Sequence, residues 1–298
     1  MHGLGNDFVM IDARSAPLPQ DDTGLSILAQ RVCHRHLGIG SDGLILLMDS
    51  ARSDARMRMF NPDGTEAEMC GNGIRCLAGF ARAHGLQDRE SLAIETGAGT
   101  LETRLISCDD ETSEGLVEVD MGQPRLKRSE VPVAGPRPDE PAVNEPLEVD
   151  GAVYTMTAVS MGNPHAVFFL DAQSGTPLEG MPLDQVPLEA LGSRLEKHPR
   201  FPRHANIEFA TLVRAGELAA RVWERGAGAT QACGTGACAV MVAACLTGRT
   251  GEQARVFLPG GPLDITWQER DRVRMRGPYQ FVFDGVWSNT RPRIPAHA

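Results

Sequence analysis

Lysine is scarce in this chain: Lys127 and Lys197 are its only two lysines, and both lie in polar stretches close to prolines. A pyridoxal phosphate enzyme holds its cofactor through a buried lysine, so that cofactor is not expected. The phosphate-binding pattern G-x-x-x-x-G-K-[ST] does not occur either. We therefore predict a protein that works without an organic cofactor.

The chain also has fewer basic than acidic residues, and it has no long apolar run. With 29 Lys and Arg against 39 Asp and Glu, the formal net charge is −10, which argues against nucleic acid or an anionic membrane as a partner. No run approaches the roughly 20 apolar residues of a membrane-spanning helix. Since the first residues show no basic-then-apolar signal segment, a cytoplasmic location is expected.

Cysteine is too sparse for a disulfide framework in a chain of 298 residues. The seven cysteines are an odd number, and they are Cys33, Cys70, Cys76, Cys108, Cys233, Cys238 and Cys245. Neither cysteine cluster has the C-x₂-C spacing of a zinc site, and intervals of six and five residues turn the thiols to different sides of a helix. No metal site is predicted.

Length and proline placement predict two domains. The chain exceeds one ordinary core and fits two domains of roughly 125–150 residues each. Six of the twenty prolines lie between Pro124 and Pro146 among charged residues, as is typical of an interdomain connection. We therefore place the N-terminal lobe at residues 1–123 and the C-terminal lobe at residues 124–276.

Hydrophobic periodicity predicts similar elements in the two halves. Helices are predicted over 22–36, 70–84 and 233–247. Strands are predicted at 44–48, 56–60, 92–96, 101–106, 116–120, 155–160, 165–170, 206–213, 219–223, 254–258, 263–267, 272–276 and 280–283. The 233–247 helix is apolar all round, so other elements must surround it, and the 70–84 helix is expected to do the same in the first half. We predict an α/β (α+β) fold with two pseudo-symmetric lobes, each a curled, mostly antiparallel sheet around a central helix.

Two short segments nearly repeat each other: residues 70–76 read C-G-N-G-I-R-C, and residues 233–238 read C-G-T-G-A-C. Each places a cysteine directly before an apolar run, which indicates a thiol at the first turn of a buried helix. The free N–H groups and the dipole there favour thiolate and carboxylate groups, so we expect a lowered thiol pKa. Two facing thiols in an interlobe cleft suit the removal of a proton from one face of a carbon and its return to the other.

At this point the sequence resembles the diaminopimelate epimerase family, within the proline-racemase-like fold group, over nearly its whole length. The resemblance rests on seven segments in the family's order: 1–8 (MHGLGNDF), 38–43 (GIGSDG), 60–64 (FNPDG), 69–76 (MCGNGIRC), 161–165 (MGNPH), 206–209 (NIEF) and 224–238 (ERGAGATQACGTGAC). It implies cofactor-independent interconversion of LL- and meso-2,6-diaminopimelate, in lysine and peptidoglycan-precursor biosynthesis. It also implies a C-terminal strand, at about 277–290, that returns to the first lobe, and a possible homodimer.

The same resemblance implies roles for individual residues. Cys70 and Cys233 would be the two acid–base residues. The groups presented to the reacting carboxylate would come from Gly71, Asn72, Gly234 and Thr235. Further substrate contacts would come from Asn6, Asn61, Asn163, Asn206, Glu224 and Arg225. Two residues, His165 and Glu224, would tune the site.

These residue types fit a substrate with an amino-acid group at each end. A guanidinium such as that of Arg225 suits the distal carboxylate, and Glu224 suits an ammonium group. The chain departs from the family at Gly43, where some members carry Gln, and in the region 124–146, which looks expanded.

Other readings stay open on the sequence alone. A proline or hydroxyproline epimerase would use the same two thiols, although such a one-ended substrate does not need Arg225 and Asn206. An isomerase of the phenazine-biosynthesis type would share the lobes but lack the paired cysteines. A thiol redox or metal-binding protein would use the cysteines for something other than proton transfer.

Overall fold

The computed structural model describes residues 1–109, 111–171 and 176–287, and these contain four α-helices and seventeen strands. The helices are α1 (Asp22–Cys33), α2 (Gly71–Ala81), α3 (Leu188–Glu196) and α4 (Gly234–Leu246). The strands are β1 (His2–Gly3), β2 (Asn6–Asp12), β3 (Gly43–Met48), β4 (Ala55–Phe60), β5 (Glu66–Ala67), β6 (Ser91–Thr96), β7 (Gly99–Asp109), β8 (Glu114–Asp120), β9 (Glu145–Val149), β10 (Ala152–Ser160), β11 (Pro164–Phe169), β12 (Asn206–Arg214), β13 (Glu217–Glu224), β14 (Gly228–Thr230), β15 (Gln253–Leu258), β16 (Gly261–Gln268) and β17 (Arg272–Gln280).

The fold consists of two lobes, each built around one buried helix, as predicted. All residues of α2 are buried, and this helix contacts strands β1–β4, β7, β8 and β17. Helix α4 is buried up to Cys245 and contacts β10–β13 and β15–β17. An apolar helix without a polar face is stable only when it is covered on all sides, and the curled sheets provide that cover.

The two lobes repeat one order of elements. The first runs β1, β2, α1, β3, β4, β5, α2, β6, β7, β8, and the second runs β10, β11, α3, β12, β13, β14, α4, β15, β16, β17. In each lobe the strands flanking a helix pair in parallel, and most other pairs are antiparallel. By this correspondence α4 is the counterpart of α2, and α3 is the counterpart of α1.

Strand β17 joins the lobes. It pairs antiparallel with β16 on one side and with β8 on the other, and its last residue, Gln280, faces His2 of β1. The chain passes from β8 to β9 between Asp120 and Glu145, a range that includes the predicted lobe boundary at 123/124. That boundary stays a prediction.

The first helix begins and ends for local reasons. Asp21 caps α1 by accepting a hydrogen bond from the Gly24 N–H at 2.8 Å, and the apolar face of the helix packs on β3. The helix ends at Cys33 rather than at the predicted residue 36. His34 has an extended backbone. Its Nδ1 accepts hydrogen bonds from the backbone N–H groups of His36 and Leu37, and these bonds form a turn.

Two further predicted boundaries are wrong. The helix predicted over 70–84 is α-helical only to Ala81, and the chain then leaves the helical conformation at His84 and at Gly85, which has φ +100°. The strand predicted at 280–283 does not form, because β17 ends at Gln280, where its partner β8 begins at Glu114. Residues 277–280 of the predicted 277–290 strand belong to β17 and pair with β8 of the first lobe. Residues 281–287 form no strand, and residues 288–290 lie outside the described residues.

Two further points concern elements outside this scheme. Helix α3 has no counterpart among the predicted elements. Within the described ranges, no helix is both long enough and apolar enough to cross a membrane.

Candidate active site

The two lead cysteines lie at the starts of the two central helices. Cys70 and Cys233 both have extended backbones and are the N-cap residues of α2 and α4. The helix starts touch each other: a Cβ built on Gly71 would lie 3.3 Å from the Cα of Gly234, and the reverse distance is also 3.3 Å. A Cβ at either position would be tightly crowded, so the glycines that follow the cysteines allow the two N-termini to approach closely.

Each thiol has its own set of polar neighbours. The half-buried Cys70 donates from Sγ to the Asn6 side-chain oxygen at 3.6 Å. Cys233 is 5% exposed, and its Sγ accepts a hydrogen bond from the Gly236 N–H at 3.3 Å. The Thr235 hydroxyl lies 3.5 Å from the same sulfur. At α4 an N–H group of the first turn therefore points at the N-cap sulfur, whereas the Cys70 side chain makes no such cap bond at α2.

The expected lowering of the thiol pKa is wrong. Burial raises the pKa of Cys70, and it raises the pKa of Cys233 well above the ordinary value. At Cys70 the Gly73 N–H lowers the pKa by more than the negative charge of Glu224 raises it, and both effects are smaller than that of burial. At Cys233 the charge of Glu224 raises the pKa by more than the Gly236 N–H lowers it. Desolvation of a thiolate outweighs the helix N-terminus here, so both thiols are mainly protonated at neutral pH.

Two asparagines connect the cysteines. The Asn6 amide group donates to Asp42 at 2.8 Å, which fixes its oxygen toward Cys70. The buried Asn72 amide donates to that same Asn6 oxygen at 3.1 Å and to the carbonyl of Ala232 at 2.8 Å. Because Ala232 precedes Cys233, one side-chain amide joins the surroundings of both thiols.

Glu224 is close to the second thiol. Its carboxylate accepts a hydrogen bond from the Thr230 hydroxyl at 2.6 Å, and it is hydrogen-bonded to Cys233. Burial raises the pKa of Glu224, while the contacts with Thr230, His165 and Cys233 lower it by less. Glu224 and Asn61 occupy corresponding places, since one ends β13 and the other follows β4.

A buried histidine–glutamate pair lies beside Cys233. The His165 ring is fully buried, and its two nitrogens contact Glu208 Oε1 at 2.7 Å and Asn163 Oδ1 at 2.9 Å. Burial raises the pKa of Glu208, and its second oxygen has no partner in the described part of the chain. The negative charge of Glu208 also raises the pKa of Cys233.

Sequence reasoning gave no role to Glu208, although it lies in the N-I-E-F segment that carried part of the resemblance. The alternation of side chains between the two faces of β12 could have identified Glu208 from the sequence. Because Asn206 and Glu208 are two residues apart in β12, their side chains share one face of the sheet.

The polar residues predicted at the distal end form a second group. Asn206 donates to the Pro164 carbonyl at 2.8 Å and accepts from the Arg225 N–H at 2.9 Å. The Arg225 guanidinium donates to the Arg203 carbonyl at 3.0 Å. Asn61 donates instead to the Thr65 hydroxyl at 2.9 Å, within its own turn. Their contacts with substrate stay predictions.

The side chains near the thiols are suited to proton transfer and to binding a zwitterion. Among the residues that the structure describes, no three His, Cys, Asp or Glu side chains lie together in an arrangement that would hold a metal ion.

Solved structures with the same fold belong to a group of amino-acid isomerases and related proteins. A hydroxyproline epimerase from Agrobacterium vitis superposes with a TM-score of 0.64 at 14% identity, over 94% of this chain and 87% of that one. A probable proline racemase from Agrobacterium radiobacter K84 gives a TM-score of 0.65 at 15% identity, over 99% and 93% of the two chains. At these identities the likeness shows the two-lobed fold alone.

Sequence comparison is more specific. The family model described as diaminopimelate epimerase matches residues 1–127 and 157–282. The diaminopimelate epimerase of Desulforudis audaxviator is 50% identical over 288 residues, which cover 96% of this chain and 97% of that one. The enzyme of Pelotomaculum thermopropionicum is 48% identical over 287 residues, 96% of each chain. The chain belongs to the diaminopimelate epimerase family.

Proposed function

We propose that this protein is an isomerase that interconverts LL- and meso-2,6-diaminopimelate without a cofactor, in lysine and peptidoglycan-precursor biosynthesis. The observation that carries the proposal is the pair of helix N-termini in contact, each with a cysteine as its N-cap. Membership of the family supports the choice of substrate.

In the proposed mechanism one thiolate removes the α-proton from one face of the carbon, and the opposite thiol donates a proton to the other face. The protonation states of Cys70 and Cys233 are exchanged after each turnover, so each acts as base in one direction. Negative charge that develops on the α-carboxylate is stabilised by the free N–H groups that follow each cysteine, at Gly71–Asn72 and at Gly234–Thr235.

The raised thiol pKa values give the substrate a part in forming the thiolate. The α-ammonium group brings a positive charge into a buried site, and a nearby positive charge lowers a thiol pKa. Glu224 is placed to accept a hydrogen bond from that ammonium group, which also offsets the repulsion between its carboxylate and a thiolate. Closure of the lobes on the substrate excludes water and strengthens each of these interactions.

The distal end of the substrate explains the selectivity that we propose. Arg225 and Asn206 are joined by a hydrogen bond and offer a guanidinium and an amide to a second carboxylate. A one-ended amino acid such as proline would leave the remaining N–H groups of these two side chains without a partner, and unpaired polar groups in a closed site strongly disfavour binding.

The first test is incorporation of solvent deuterium. Reduced protein is incubated with LL-diaminopimelate in D₂O without added cofactor, and the α-hydrogen is followed by NMR and the stereoisomers by chiral chromatography. Deuterium uptake together with meso product is expected. Exchange on proline or hydroxyproline instead would overturn the substrate, and exchange on none of the three would overturn the mechanism.

The cysteines of each motif provide a matched pair of variants. We expect Cys70→Ala to reduce epimerisation by about 10²–10⁴-fold because it removes one of the two acid–base groups. Cys76→Ala removes a buried thiol from the same helix, with a pKa near 12, and is expected to keep activity close to the unchanged protein. Equal loss in both variants, with both folded, would contradict the assignment.

Two further points belong to the proposal. The mechanism needs free thiols, and reducing compartments preserve them, which supports a cytoplasmic location. A homodimer stays a prediction.

A further inference from the structure

Among the residues that the structure describes, the largest fully buried side chain is a cation, Arg75, on the second turn of α2. Among the described residues no carboxylate lies within ion-pairing distance of it. The titratable groups that face it are the thiols of Cys70 and Cys76 from its own helix and Cys238 from α4. A buried charge without a counter-ion is unfavourable unless hydrogen bonds satisfy it, so its position calls for an explanation.

The guanidinium is held by three oxygen acceptors. It donates to the Gly71 carbonyl at 2.9 Å, to the Asn72 side-chain oxygen at 2.9 Å, and to the Pro278 carbonyl of β17 at 3.1 Å. It also lies between two glycines: a Cβ on Gly3 would be 3.1 Å from Nη2, and one on Gly277 would be 3.0 Å from Nε. The surrounding backbone therefore leaves a space fitted to this planar group.

The bond from Arg75 determines which way the Asn72 amide faces. Since the oxygen of Asn72 accepts from the guanidinium, its nitrogen must point away, toward Asn6 and Ala232. The Asn6 side-chain oxygen accepts a hydrogen bond from the Cys70 thiol, and Ala232 directly precedes Cys233. One continuous set of hydrogen bonds thus runs from the buried cation to both cysteines.

Comparison of the two repeats shows that this buried cation is present in only one of the two motifs. Arg75 is five residues after Cys70, and the residue five after Cys233 is Cys238. The second lobe therefore has a small thiol where the first has a guanidinium. Arg75 is a one-sided addition at the contact between two equivalent helices, and its charge lowers the pKa of Cys70.

We propose that Arg75 is a positioning residue for epimerisation, which acts through Asn72 to hold Cys70 and the segment before Cys233 in register across the cleft. This inference rests on the proposed roles of the two cysteines.

The variants Arg75→Lys and Arg75→Met test the proposal. Arg82→Lys and Arg82→Met, about two turns further along the same chain segment, are the controls. Arg75→Lys keeps the charge but loses the fork that binds three acceptors. We expect it to lower kcat by about 10²-fold with little change in KM, since small misplacement of reacting groups has effects of that size. The Arg82 variants should keep activity near that of the unchanged protein.

Coupling to Asn72 separates positioning from a general structural role. If Arg75 acts through Asn72, then Arg75→Lys should lower kcat by less than about threefold when Asn72 is already Ala. Independent losses that multiply in the double variant would overturn the proposal, and so would full activity of Arg75→Lys.

A readout that does not need activity is the pH dependence of Cys70 alkylation by iodoacetamide, with the modified peptide identified by mass spectrometry. The charged groups that act on Cys70 are Arg75 from α2 and Glu224 from β13. Arg75→Met should shift the profile to higher pH, whereas a merely structural role would lower the melting temperature and leave the profile in place. If the unchanged protein alkylates as expected but Cys70→Ala remains active, the proposed function fails and this inference fails with it. An unshifted profile in folded Arg75→Met overturns the inference alone.

Discussion

At the scale of single residues, Glu224 has two opposite effects on the site. Its negative charge raises the pKa of both thiols, while its carboxylate is the group that we propose for the substrate ammonium. Loss of this charge should therefore lower both thiol pKa values and at the same time weaken catalysis.

The variant Glu224→Gln tests these two signs together. At pH 8, below the raised thiol pKa values, a lower pKa means more thiolate, so iodoacetamide should react faster with Cys70 and Cys233. Epimerisation should fall by about tenfold or more, because an amide no longer offers a charged acceptor to the ammonium. Glu217→Gln, at the half-buried start of the same strand, is the control. Slower alkylation in Glu224→Gln would show that the sign is wrong.

The positions of candidate residues in local motifs, next to a cysteine, a glycine or the end of a strand, were predicted correctly more often than those of residues that act through partners far away along the chain. Cys70 and Cys233 were found at the starts of their helices, where the motifs placed them. Arg75 was not singled out, since its acceptor Pro278 lies 203 residues away along the chain. Glu208 was missed for a similar reason: a buried carboxylate and its histidine are recognised only when β11 and β12 are paired.

At the scale of elements, composition decided which helices could be predicted. Helix α4 is a long apolar run between two glycine-rich segments, so its location and its burial follow from the sequence. Helix α3 begins after Pro187 without a side-chain cap, and its nine residues follow a proline-rich stretch. The internal repeat could have predicted α3, because the counterpart of α1 must lie between β11 and β12.

The packing of α2 against β17 gives a testable element-scale prediction. A Cβ on Gly79 would lie 2.4 Å from the Tyr279 ring, and a Cβ on Gly115 would lie 2.3 Å from the same ring, so the ring packs closely against both glycines. We expect Gly79→Ala to lower the free energy of unfolding by about 1–3 kcal/mol, despite the better helix propensity of alanine. Urea titration followed by circular dichroism measures this.

A matched control is Gly251→Ala, since a Cβ there meets nothing within 4 Å. Its effect should stay within about 0.5 kcal/mol. Equal stability of the Gly79 and Gly251 variants would show that the ring can be displaced.

At the scale of the whole molecule, the lobes share one hydrophobic core. A single cluster of buried side chains contains Ile74 and Leu77 of α2, Val240 of α4, and Met275 of β17. This cluster and the pairing of β17 to both β8 and β16 pack the two lobes against each other. The lobes therefore differ from independent domains, which are joined through small polar interfaces.

We expect the two lobes to unfold in one transition. Cys76 in α2 and Cys238 in α4 are both fully buried, so each thiol becomes reactive only when its own helix is exposed. In urea, pulse labelling read by peptide mass spectrometry should give the same midpoint for both thiols, because loss of either central helix exposes the core of the other. Reactivity of Cys238 while Cys76 stays protected would reveal a partly folded state with one lobe intact, and would mean that β17 does not couple the lobes.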